Sequence, residues 1–286
     1  MIVVTGATGG LGGATVEHLL KRVPADQLGV SVRDTAKARH FADRGVRVRQ
    51  GSYEDPAALR DSFAGAEQVL LVSGNDPAAD LVALHRGAID AAVEAGVRRI
   101  LYTSQQGAVP GNPYRPSETH LATEAMLGDS GVAWTALRNA AYGSLDLVLG
   151  PWQRTGGIAG PLDGPVPYTD RADVAEATAA ILAGARSFDG PVTLTASAAV
   201  TLDDLARIAS GLIGRTVTRV VVDDEQWVAE QIANGVPEQP ARLMLTWNQA
   251  ARAGYFAGTD PLLAELLGRE PRTVTDRLAA GIGTTA

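Results

Sequence analysis

The chain opens on Ile2-Val3-Val4 and passes at once into TGATGGLGG, residues 5–13. An all-apolar run with no polar alternation is expected of a strand covered on both faces. Gly6, Gly9 and Gly12 follow at every third residue, and a helical apolar stripe of Val16, Leu19 and Leu20 runs within Ala14–Val23. Strand, Gly-x-x-Gly-x-x-Gly, helix is the fingerprint of a βα turn that meets a diphosphate. Gly6 suits a tight turn that needs positive φ. Gly9 has no β-carbon to hold a pyrophosphate away from its N–H, and Gly12 lets the helix lie close on the strand. The helix start adds unpaired N–H groups and the positive end of a dipole. Gly6, Thr8, Gly9, Gly10, Leu11 and Gly12 are therefore candidate nucleotide ligands.

The remaining chain fits that opening. Strands are expected at Leu28–Val32, Val46–Arg49, Gln68–Val72, Arg99–Thr103 and Trp134–Leu137. Helices are expected between them at Ala36–Arg44, Pro56–Phe63, Ala78–Ala95 and Ser117–Ser130. Strand and helix in alternation with short turns imply parallel strands joined by right-handed crossovers, an α/β doubly wound sheet. The pattern breaks after Asn139, where residues 143–167 are rich in Gly and Pro. A helix at Asp173–Ala183, a strand at Val192–Thr195, a helix at Leu202–Ile213 and a strand at Val217–Val222 follow. The division expected is a nucleotide-binding domain over 1–139 and, over 140–286, a smaller α+β lobe packed on it.

Composition narrows the function. The sequence has 286 residues, 45% of them hydrophobic, and a formal charge of -7. That net field repels nucleic acid and anionic membranes. No apolar run is long enough to span a bilayer, and Met1 leads straight into a strand without a signal-peptide pattern. There is no cysteine, which excludes disulfides, thiolate metal sites and a cysteine nucleophile and agrees with a cytoplasmic setting. No metal-site spacing and no Gly-x-Ser-x-Gly elbow occur.

The tip of the second strand reads Ser31-Val32-Arg33-Asp34. An acid there takes the ribose 2′-hydroxyl of NAD, and an arginine pairs with the 2′-phosphate of NADP. Arg33 comes first and Lys37 lies one helical turn on, which favours NADPH; Asp34 keeps NADH possible. Tyr53, beside Ser52 at the exit of the third strand, is expected near the adenine. The turn Ser73-Gly74-Asn75 is expected along the ribose and nicotinamide.

Short-chain dehydrogenases of the ordinary kind use Tyr-x-x-x-Lys, and this chain cannot hold it. Its only lysines are Lys21 and Lys37, and no tyrosine stands four residues before either. The helix that would carry the lysine reads His120-Leu121-Ala122-Thr123-Glu124. His120 can contact a nicotinamide ribose or donate a proton, or simply pair with Glu124 one turn away.

The stretches TGATGGLGG, VPADQLGVSVRDTAKA, AGVRRILYTS, HLATE, DSGVAWTALRNAAY and TDRADVAEA together resemble the NmrA-like atypical short-chain reductases. Within that family the resemblance is to bacterial NAD(P)H:quinone oxidoreductases and triphenylmethane reductases. It covers residues 1 to about 180. It implies a Rossmann-like sheet with a small lobe and a cleft between them. It implies NADPH along Thr103, with the nicotinamide near Ser104, Gln105, His120 and Asn139. A small-molecule electron acceptor would enter by Tyr142, Trp152 and Tyr168. His120 or solvent would supply protons to the quinol oxygens, and Asn139 would orient a carboxamide or an acceptor oxygen. A monomer or homodimer is expected. Two other readings stay open: a nucleotide-binding redox sensor without turnover, and a reductase of dyes, azo compounds, enones or imines. The loop QQGAVPGNPYRP has no counterpart in the resemblance.

Overall fold

A computed structural model describes residues 1–282 apart from Asn75, Pro77 and the side chain of Leu147. β1 (Ile2–Thr5) is buried along its whole length, and its pleat divides the core into two layers. Ile2 and Val4 face one helical layer, and Val3 faces the other. The first layer contains α1 (Gly10–Leu19), which contributes Val16 and Leu19. Beyond it β2 (Leu28–Val32) leads through a 3₁₀ turn into the short α2 (Arg39–Ala42), whose Phe41 closes that edge. β3 (Arg47–Gln50), α3 (Pro56–Phe63), β4 (Gln68–Leu71), α4 (Leu81–Glu94), β5 (Arg99–Gln105), α5 (Pro116–Asp129) and β6 (Ala133–Asn139) continue the alternation. Leu59, Phe63, Ile89 and Leu127 of α3, α4 and α5 cover Val3, Val69 and Ile100 from the second side.

After β6 the chain leaves the sheet through α6 (Leu145–Leu149), α7 (Trp152–Thr155) and β7 (Gly157–Gly160). It then returns. α8 (Arg171–Leu182) packs on α1, and β8 (Gly190–Leu194) pairs in parallel with β6. The sheet is seven-stranded in the order β3-β2-β1-β4-β5-β6-β8, with every pairing parallel. The expected break at residue 139 therefore does not separate two layers of the molecule. α8 and β8 form a further crossover unit of the main sheet, set apart in the sequence by the Gly/Pro-rich excursion before it.

The excursion and the tail build the lobe. α9 (Leu202–Ile213) starts in a capping box of Thr201 and Asp204. β9 (Thr218–Val221) pairs with β7, and α10 (Asp224–Ala233) packs on α11 (Glu238–Arg252). α12 (Leu262–Leu267) returns to the sheet layer against α8, and α13 (Val274–Gly281) packs on α9. Trp152, Ile158, Tyr168, Leu205 and Phe256 share one apolar core of this lobe. Among the described residues no helix is long and apolar enough to cross a membrane.

One helix starts earlier than its sequence suggests. α1 begins at Gly10, although glycine in a helix costs about 0.5–1 kcal/mol relative to alanine. The close approach explains it: a β-carbon on Gly12 would stand 2.5 Å from the carbonyl oxygen of Gly6, and one on Gly13 would stand 2.9 Å from that of Ala7.

Candidate functional site

Two cavities open at the carboxyl ends of the strands. The first, about 810 Å³, is walled by the Gly6–Gly12 turn, Arg33, Ser52, Tyr53 and Ser73-Gly74. Gly6 holds φ +61° and accepts a hydrogen bond from Gly9 N at 2.9 Å, which folds the turn tightly. Gly9 is the N-cap of α1 with no side-chain cap, and the first turn holds no acid. Asp55, Asp80, Asp170, Thr201, Asp223 and Thr273 cap other helices with their side chains. At α1 the free N–H groups instead face a cavity, the condition for anion binding. Arg171, at the start of α8, reaches the same wall; a β-carbon on Gly10 would lie 2.7 Å from its Nη1.

The β2 tip resolves its ambiguity. Arg33 is exposed and lines the cavity. The Asp34 carboxylate accepts the Ala36 amide at 3.0 Å as cap of the 3₁₀ turn and is not in the wall. Lys37, offered with Arg33, is exposed and stands outside the wall, because the chain turns there as a tight 3₁₀ segment. Uncapped helix start, glycine cradle and Arg33 fit a dinucleotide with a 2′-phosphate.

The second cavity, about 490 Å³, lies under the lobe. Its sheet side is Ser104, Gln105, His120 and Asn139; its lobe side includes Tyr168, Trp227, Met244 and Trp247. Ser73 and Tyr142 line both cavities. Among the described residues no Asp, Glu, Lys or Arg lines the second cavity, although Arg171 stands 6.0 Å from the Tyr142 ring centre on the nucleotide side.

The junction is held from beneath. Ser73 N donates to Thr103 Oγ1 at 2.8 Å, and Tyr53 Oη donates to the Val72 carbonyl at 2.9 Å. Thr103, expected along the cofactor, is fully buried beneath the Ser73 turn and is in neither cavity wall. Gly74 N donates to His85 Nε2 at 3.2 Å. Asn75 lies outside the described residues.

Asn139 is 1% exposed, yet its amide oxygen and nitrogen both lack a hydrogen-bond partner. Leaving one buried polar group unpaired costs about 1–3 kcal/mol, so a doubly orphaned amide in a cavity wall signals a group that a ligand completes. The pairing of His120 with Glu124 does not occur. Glu124 is 5% exposed and takes Arg138 at both oxygens, at 2.9 and 2.6 Å, together with the Ser104 hydroxyl at 2.6 Å. His120 Nδ1 meets Tyr102 Oη at 2.7 Å. Burial, with His85 nearby, pushes the His120 pKa down to about 3, and burial alone takes His85 to about 4. Both rings are neutral at pH 7, so any proton or hydrogen bond that His120 offers comes from a neutral imidazole.

Of the aromatic residues expected at the acceptor, Tyr142 and Tyr168 line the cavity. Trp152 does not: it is 2% exposed and packed in the lobe core, the usual fate of a large apolar ring. The sequence reading missed Arg171, Tyr114, Trp227, Met244 and Trp247. Tyr114 belongs to the distinctive loop and meets the Trp247 ring edge-on at 5.2 Å, while Trp247 stacks on Phe256 at 4.2 Å.

A parallel sheet with a phosphate-type turn at its first βα junction and a ligand cavity beside it defines a dinucleotide-binding α/β protein. More closely, the chain belongs to the NmrA-like family, whose model matches residues 1–264. It is 34% identical to quinone oxidoreductase 2 of Escherichia coli, over 98% of each chain. The crystal structure of that NADPH-dependent enzyme with NADPH superposes with a TM-score of 0.91 at 33% identity, covering 99% of each chain. The Citrobacter triphenylmethane reductase complexed with NADP(H) gives 0.89 at 32% identity, covering 99% of this chain and 100% of that one. An NAD(P)H azoreductase of Xenophilus azovorans is 28% identical over 96% of each chain.

Proposed function

We propose that this protein is an NADPH-dependent oxidoreductase that passes hydride to an uncharged, conjugated acceptor of the quinone kind. The observation that carries the reading is the shared wall: Ser73 and Tyr142 belong to both cavities, so a bound reductant and its acceptor meet there. NADPH supplies the hydride. The start of α1 holds the diphosphate, and Arg33 reads the 2′-phosphate. Asn139 gives its two open amide atoms to the carboxamide or to an acceptor oxygen. His120 donates a hydrogen bond to the oxygen on which charge grows, as a neutral imidazole, and solvent provides the proton. Trp227, Trp247 and Tyr114 offer ring faces to a flat acceptor and exclude water.

The reading needs no tyrosine–lysine pair, because a quinone accepts hydride without an activated acid. The azoreductase and triphenylmethane reductase relatives support other conjugated acceptors in the same cavity. A second cavity that shares a wall with the first supports turnover over a pure sensor. The reading includes a cytoplasmic setting, in agreement with the lack of cysteine, and a monomer or homodimer.

The test is steady-state NADPH oxidation with 1,4-naphthoquinone and with its sulfonate. The charge-free lining favours the uncharged compound by at least tenfold in kcat/KM. Equal use of both, or of neither, overturns the reading.

A further inference from the structure

His85 and Tyr102 are buried, polar and far from any surface role; neither lines a cavity of the acceptor site. Their hydrogen bonds nonetheless run from the Ser73-Gly74 turn to His120. The protons in that run can be assigned one after another. Gly74 N–H points at His85 Nε2 at 3.2 Å, so Nε2 is an acceptor and carries no proton. A neutral His85 must then hold its proton on Nδ1. That nitrogen lies 3.0 Å from Thr123 Oγ1, whose own proton goes to the Thr119 carbonyl at 2.8 Å. It also lies 3.4 Å from Tyr102 Oη. Since His85 Nδ1 is protonated, Tyr102 cannot donate to it. Thr123 also stands at the Tyr102 hydroxyl, but its oxygen already accepts from His85 Nδ1, so the Tyr102 proton goes to the short contact, His120 Nδ1 at 2.7 Å. His120 therefore carries its proton on Nε2, the ring nitrogen turned away from Tyr102, and its ring is in the acceptor-cavity wall.

We propose that His85 and Tyr102 are positioning residues that set the tautomer of His120, taking that setting from the Gly74 amide so that an N–H is offered to the acceptor. His120 touches the acceptor; His85 and Tyr102 act only through it. The run ends in the Thr119 carbonyl and not in solvent, so it fixes proton positions without conducting protons. It also couples the two cavities. If the Gly74 amide withdraws, His85 loses the bond that excludes its other tautomer. Tyr102 is then free to turn to His85, and His120 loses its donor.

The setting of His120 stands apart from the quinone-reductase reading; only its effect on turnover rests on that reading. The experiment reads the two separately. Protein labelled with ¹⁵N-histidine is examined near pH 7 by two-bond ¹H–¹⁵N correlation, with His120→Asn used to assign its signals and no acceptor present. His85 is expected as the Nδ1–H form and His120 as the Nε2–H form. In Tyr102→Phe, His120 becomes a mixture of tautomers while His85 keeps its form. Turnover of that variant falls about three- to tenfold, the worth of one hydrogen bond, with NADPH affinity unchanged. A wild-type His120 in the Nδ1–H form overturns the proposal, even if Tyr102→Phe does not fold. So does a Tyr102→Phe variant that loses activity with its His120 tautomer intact, which marks a merely structural tyrosine. Protein that shows the two tautomers but oxidises no NADPH with quinones leaves the proton assignment standing and removes the quinone reading instead.

Discussion

Two neighbouring glycines of the first turn allow close packing and ligand binding to be pulled apart. In Gly12→Ala the new β-carbon would lie 2.5 Å from Gly6 O, 2.8 Å from Gly6 C and 3.0 Å from Thr5 O, all backbone atoms. Relief requires α1 to move by about 1 Å against the turn, an overpacking cost of about 1–3 kcal/mol. Better helix propensity returns up to about 1 kcal/mol. The net loss of at most about 2 kcal/mol lowers Tm by up to roughly 8 °C in a chain of this size. The displaced N–H groups lose at least one charge-assisted bond to phosphate, about 1.5–3 kcal/mol, or roughly ten- to hundredfold in NADPH affinity. In Gly10→Ala the contact is the far end of the Arg171 side chain, at 2.7 Å. That guanidinium can swing aside, so Tm holds or rises slightly while NADPH affinity falls about tenfold through loss of one surface-lying cation. Circular dichroism melts and titration calorimetry with NADPH read both quantities. Wild-type NADPH affinity in Gly12→Ala refutes the diphosphate cradle. Equal destabilisation by the two variants refutes the packing argument.

Other outcomes follow from the same site. Asn139→Leu removes two orphaned buried polar atoms at similar volume, so the free protein melts higher, by about 2 °C or more, while turnover drops at least about tenfold. Arg33→Ala weakens NADPH about tenfold in calorimetry and leaves NADH nearly unchanged. Glu124→Leu strands the half-buried Arg138 and destabilises by about 3–5 kcal/mol in urea unfolding. His85 and His120 have folded pKa values of about 4 and about 3, below that of the unfolded ring. The unfolded chain therefore binds more protons as pH falls below about 6.5, and stability is lost in that direction. At pH 5 each ring costs about 2 kcal/mol relative to pH 8, visible as a lower urea midpoint, with no His120 step in kcat between pH 5.5 and 8.

The fold was legible where period and punctuation agree. Ile2-Val3-Val4, the glycine turn and the helices from Pro56 to Asp129 follow local rules that the structure keeps. The seventh strand was legible at Val192–Thr195, but its place in the main sheet was not, because its partner β6 lies on the other side of a long Gly/Pro-rich excursion. For the site, the loop residues and Arg33 follow from where a strand must end. Arg171 does not, since only the packing of α8 on α1 brings it to Gly10. Trp152 and Trp247 look alike in sequence; one fills the lobe core and the other a cavity wall, a difference made by tertiary contact alone. Asp34 could have read a ribose, and its use as a cap shows only in three dimensions.

The central claim is that reductant and acceptor meet at Ser73 and Tyr142. A single-turnover experiment tests it most directly: protein loaded with one equivalent of NADPH is mixed rapidly with excess 1,4-naphthoquinone. The account predicts complete oxidation of the bound NADPH with one quinol formed per NADPH, slowed at least about tenfold in Asn139→Leu. NADPH that binds tightly and stays reduced in the presence of the quinone would contradict it.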